Sequence, residues 1–115
     1  MKNEQQTSDS IQEYLKLTRE TMPLLAKLAN SQQETKHTQR WPVTEDHCFQ
    51  RIVLDNICGG AWYEHIKSPA YQNLSLSQAH AAVQLCKLII EAKEDLTQLN
   101  KRSLSWRKKQ YTFEF

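Results

Sequence analysis

A chain of 115 residues, 39% apolar and 24% charged, has room for one domain with a modest core. It holds no apolar run near the roughly 18 residues of a membrane span, and its formal charge of +2 is too small by itself to argue for nucleic acid. With only two Gly and three Pro, the composition favours helix over sheet and predicts an all-α fold.

The expected architecture is a single helical domain over 1–115, a bundle of four to six helices with a central buried helix and a long C-terminal one. Residues 1–8 and 108–115 are expected to be flexible ends. The polar start MKNEQQTSDS lacks the apolar stretch of a signal peptide, so the expected compartment is the cytoplasm. Three Cys without a CxxC pair read as free thiols in a reducing compartment.

In chain order, Ser8 or Asp9 is a candidate cap for a helix through residues 11–22, with Ile11, Leu15 and Thr18 on its apolar face. Pro23 is expected to interrupt it and to open a second helix with Leu24, Leu25 and Leu28 as its buried positions. The pattern fades after Ala29. Arg40-Trp41-Pro42 forms a turn from which Trp41 or Val43 can pack back near Cys48.

The segment 44–58 is the expected core helix. Thr44 is its candidate N-cap, Glu45 and Asp46 suit its first turn, and Gly59 suits its left-handed end. Phe49, Ile52, Val53 and Ile57 fall on one face and Leu54 and Cys58 off it, which implies burial on two sides. The exception is a polar line, His47, Arg51 and Asp55, spaced i, i+4, i+8. Charges on a buried helix need partners. The line reads either as an Arg51–Asp55 pair at the rim of the core or as a small pocket for a polar ligand.

A short helix of about two turns is expected over 61–67, stopped by Ser68-Pro69. Ser75 with Gln78 forms the clearest start signal, a capping box with a Leu74–Ala79 staple. The helix from Leu76 carries Ala79, Ala82, Val83, Cys86, Leu88, Ile89 and Ile90. Ala92, Leu96, Leu99, Ser103 and Trp106 then continue at steps of four and three, the seam of one long helix packed along a partner. Asp95 and Gln98 offer a second capping box and so a place for a break near Lys93. Residues 107–115 read as a tail with strand-like alternation.

From Lys101 onward five cations stand against one Glu. Arg102, Trp106, Lys108 and Lys109 interleave charge with an aromatic ring, as nucleic-acid contacts do, although cations also suit a helix C-terminus. Asn100, Ser103 and Arg107 fall on one stripe at i, i+3, i+7. Facing the core helix, that stripe would bring Ser103 and Arg107 to Asp55 or His47 and unite two polar stripes. The expected ligand-binding set is therefore His47, Arg51, Asp55, Asn100, Ser103 and Arg107.

No metal site is expected, because His47–Cys48 and Cys58–His65 match no ligand spacing. Cys48 near a helix N-terminus is the least implausible nucleophile, His65 would have to fold back to serve it, and the plainer reading is a buried inert thiol. There is no glycine-rich phosphate loop. No cofactor and no catalytic residue are assigned.

The run HCFQRIVLDNICGGAWYEHIKSPAYQNLS, followed by LNKRSLSWR, resembles a set of short bacterial proteins, some of them loosely labelled acetyltransferases. The likeness spans about Trp41 to Arg107 and implies no particular activity. The label does not fit residues that offer neither a sheet nor a glycine-containing pyrophosphate loop. The expected function is binding of a partner, either another protein (self-association included) or nucleic acid, through helical faces and the basic end. The alternative is a small enzyme or polar-ligand binder with a pocket lined by His47, Arg51 and Asp55.

Overall fold

Pro23 does not break the N-terminal helix. The computed structural model describes the backbone of residues 2–31 and 40–111 and the side chains of 5–31 and 40–107. Within it the chain stays helical from α1 (Lys2–Lys16) through a π-helical turn (Leu17–Thr21) into α2 (Met22–Ser31). A proline has no N–H to give, and its ring crowds the carbonyl four residues back in a regular α-turn. The wider turn relieves this, with the Met22 N–H reaching back to the Leu17 carbonyl. It also turns Tyr14, Thr18, Met22 and Ala26, four residues apart, to the interior, so that Leu24 and Leu28, expected to be buried, are exposed instead. The helix starts at Lys2, ahead of the expected Ser8 or Asp9 start, so residues 2–8 are helical.

Helix α3 (Asp46–Cys58) is the centre of the bundle, packed against the N-terminal helix, α4 (Leu76–Ile90) and α5 (Leu96–Tyr111). Phe49, Ile52, Val53 and Leu54 are all buried, which is the two-sided burial that their spacing predicts. Its start differs from expectation: Glu45, not Thr44, holds the N-cap position, and no side chain caps the helix. Its end is as expected. Gly59 takes φ 71°, a left-handed conformation that costs glycine little. Trp41 sets its ring edge-on to Phe49 at 5.7 Å, anchoring the incoming segment. Asn30 holds that segment from the other side. Its side-chain amide accepts from the Trp41 N–H at 2.8 Å and donates to the Trp41 carbonyl at 3.0 Å.

The two-turn helix expected over 61–67 is a single 3-10 turn, Trp62–Glu64. The Ser68–Pro69 bond is cis. The Ser75 capping box forms with both reciprocal bonds, and Leu74 and Ala79 are buried on either side of it.

The single long C-terminal helix is also corrected. α4 ends at Ile90 and α5 begins at Leu96. The stop is a Schellman arrangement, with Lys93 N–H donating to the Leu88 carbonyl and Ala92 N–H to that of Ile89. It places Ala92 at φ 60°, where glycine is the usual residue. Asp95 opens the next helix by accepting from the N–H groups of Thr97 and Gln98. Helix α5 continues to Tyr111, over part of the expected tail; residues 112–115 lie outside the described residues. Counting the N-terminal run as one, four helices are described. The described residues include no strand, and none of their helices is long and apolar enough to cross a membrane.

Candidate functional site

The two polar stripes meet. Helix α3 presents Arg51 and Asp55 to α5, which presents Asn100, Ser103 and Arg107. Asp55 is fully buried and accepts four hydrogen bonds. Oδ1 receives the Trp62 backbone N–H at 2.9 Å and Arg107 Nη2 at 3.1 Å. Oδ2 receives the Ser103 hydroxyl at 2.6 Å and Arg107 Nε at 2.8 Å. Ser103, also buried, accepts Arg51 Nη1 at 2.7 Å, and Arg51 Nη2 donates to Asn100 Oδ1 at 2.9 Å. The Arg107 guanidinium also lies 5.2 Å from the centre of the Tyr63 ring.

The structure selects among the alternatives that the two stripes offered. Asp55 pairs with Arg107, while Arg51, its neighbour on α3, turns to Ser103 and Asn100. His47 stands outside the cluster, its side chain 77% exposed and 3.5 Å from Asp46. Of the six residues expected to form a polar site, five form one network.

Two contributors are absent from the residues that the stripes predict. The Trp62 N–H is a backbone group, which no side-chain pattern reveals. Asn56 donates to the Ile52 carbonyl on its own helix and to the Leu99 carbonyl on α5, so it stitches the same contact from one turn along. Its position one residue after Asp55 was the available hint.

The network is internally complete. Among the described residues no buried side-chain nitrogen or oxygen lacks a hydrogen-bond partner. Its chemistry is that of a clamp: a carboxylate saturated by a bidentate guanidinium, a hydroxyl and an amide has its acceptor sites filled. No group of three or more His, Cys, Asp or Glu able to hold a metal is found among the described residues.

Cys58 and Cys86 are held as protonated thiols by their surroundings. Burial, reinforced by the charge of Asp55, raises Cys58 above the ordinary thiol range. Burial pushes Cys86 up to about 12, against a lowering backbone hydrogen bond and with a smaller rise from Glu13. Nearby, burial also raises the Tyr14 phenol.

Of the residues expected at a basic end, Lys101 and Arg102 are exposed and Trp106 is half-buried. The side chains of Lys108 and Lys109 lie outside the described residues. Arg107 is committed to Asp55. A separate open groove of about 590 Å³ runs between Trp41, Pro42, Ile90 and Leu96, with Arg40, Lys93 and Asp95 along it, and none of the five networked residues lines it.

These features define a small all-α bundle whose central helix is locked to its last helix by a buried aspartate–arginine centre. No family model matches the chain, and no match to a curated protein or to a solved structure was found.

Proposed function

We propose that the chain works in the cytoplasm as a partner-binding protein, not an enzyme, and that it docks another protein on α2. The observation that carries this reading is the exposure of Leu24 and Leu28, at 59% and 52%. They sit one turn apart on one face of a helix that buries only Met22 and Ala26. Two leucines in that arrangement are the anchors that a helical or grooved partner engages. The completeness of the Asp55 network supports the same reading, since its polar groups serve the fold.

The test is binding by the full chain and by the Leu24→Lys/Leu28→Lys double variant. Both positions face water, so the variant is expected to keep its circular-dichroism melt. It is expected to lose proteins retained by the parent chain in salt-insensitive capture. Retention of the same proteins by both chains removes the α2 reading.

The basic end would serve as an accessory surface through Lys101, Arg102, Lys108 and Lys109. Oligonucleotide binding that weakens with salt and with Lys108→Gln/Lys109→Gln is the readout for nucleic acid. With Arg107 turned inward, this surface is less charged than the sequence suggests.

A further inference from the structure

We infer that α5 is an exchangeable arm: two copies of this chain swap it across residues 91–95, so that Asp55 of each is closed by Arg107 of the other. The first observation is a conflict at the connection. Glu91-Ala92-Lys93-Glu94-Asp95 contains neither glycine nor proline, and its second residue is the strongest helix former there is. The fold nevertheless holds Ala92 at φ 60°, exposed, in the left-handed region that alanine adopts at a cost. Local preference and tertiary structure point in opposite directions at this turn, which marks a two-state element.

The second observation is phase. Buried Ala82 and Ile89 of α4 and buried Leu96 and Ser103 of α5 lie seven residues apart along one heptad line that crosses the connection, with Leu99 beside that line on α5. Straightening the connection gives a continuous helix over 76–111, roughly 54 Å long at 1.5 Å per residue. Its two halves keep their buried faces in register.

The third observation names the occupant. α5 makes its main contact with α3, through a set of hydrogen bonds, and buries Leu96 and Leu99. When it leaves, Asp55 loses a guanidinium and a hydroxyl at a fully buried position, and Arg51 loses both its acceptors. A buried carboxylate cannot stay unpaired. A second α5 supplies Asn100, Ser103 and Arg107 in the same geometry. The swapped dimer thus rebuilds every α3–α5 bond and differs from the monomer in the hinge, the condition under which arm exchange occurs.

Sedimentation of the full chain from micromolar to millimolar concentration is expected to show a dimer that grows with concentration. Ala92→Gly relieves the turn and weakens the straight helix, so it is expected to raise the dissociation constant about tenfold or more. Ala81→Gly, an exposed site inside α4, removes the same helix preference away from the hinge and is expected to leave the constant unchanged. Leu24→Lys/Leu28→Lys is also expected to leave it unchanged, which separates this dimer from the proposed docking face. Finally, refolding Asp55→Ala together with Arg107→Ala is expected to give a species that melts higher than either alone, because one intact centre forms between the two chains. A parent chain that stays monomeric overturns the inference. So does a dimer that responds equally to both glycine variants, one that the α2 variant dissolves, or an absence of rescue on co-refolding.

Discussion

Arg107 grips Asp55 with two parallel hydrogen bonds, Nε at 2.8 Å from Oδ2 and Nη2 at 3.1 Å from Oδ1, joining residues 52 apart in the chain. The carboxylate is wholly out of water while the arginine side chain is 24% exposed. The aspartate is therefore the dependent partner, since it has no solvent to fall back on.

Removing either side should be costly. Asp55→Ala and Arg107→Ala are each expected to lower stability by about 3–5 kcal/mol, measured by urea unfolding. In the double variant the losses are expected to fall well short of adding, because the pair forms one unit. Arg107→Lys cannot reproduce the two-pronged bond and should recover only part of the loss. Additive losses would contradict the geometry described.

The π-helical turn has its own polar lock. The buried Thr18 hydroxyl donates to the Tyr14 carbonyl at 2.9 Å and accepts from Gln50 Nε2 at 3.2 Å. Thr18→Val keeps the shape and leaves the Gln50 amide without this acceptor. A loss of about 1–2 kcal/mol is expected, and Gln50→Leu on top of it should cost little more.

Alkaline pH should destabilise the fold. Below its ordinary value of 9.0 the Cys86 thiol is protonated in both folded and unfolded chains, so it exerts no pull on the equilibrium. Between there and about 12 the unfolded chain loses the proton while the folded chain keeps it, so stability falls as pH rises. The raised Tyr14 phenol acts in the same direction from its ordinary value of 10.0 upward. Urea unfolding near pH 10.5 should show a loss on the order of 2 kcal/mol from Cys86 relative to pH 8. Cys86→Ala should flatten that part of the slope, and an unchanged slope would remove Cys86 as its source.

Asn30 should matter more than its partly exposed position suggests. Its amide makes the two bonds that hold Trp41, and its carbonyl accepts from Arg40 at 3.3 Å. Asn30→Ala is expected to cost about 1–2 kcal/mol. A change in Trp fluorescence should accompany it as the indole loses its seat beside Phe49. Asn30→Asp keeps the acceptor and should be milder.

The helices were legible wherever a local rule acts alone. Two-sided apolar spacing marked α3 as central, Gly59 marked its end, and Ser75 with Gln78 marked the start of α4, because caps and amphipathic faces depend on residues within one or two turns. The two polar stripes were legible for the same reason, and the residue types on them were complementary. Misreadings occurred where a distant contact outweighed the local rule. Proline usually ends a helix, but Pro23 is carried by a wider turn that the packing of Tyr14, Thr18 and Met22 rewards. Alanine continues a helix, but Ala92 turns the chain because α5 gains more from docking on α3 than one residue loses.

The sequence by itself determined the helical class, the buried centre at Phe49, Ile52 and Val53, and the list of polar residues available to one another. Those follow from side-chain period and end chemistry, which are properties of neighbours in the chain. Only the tertiary structure decided that Asp55 takes Arg107 over Arg51, that His47 is left outside, and that the helix breaks at residues 91–95. Pairing inside a core is a competition among groups brought together by the whole fold, and its outcome is set by desolvation and geometry that no single segment contains.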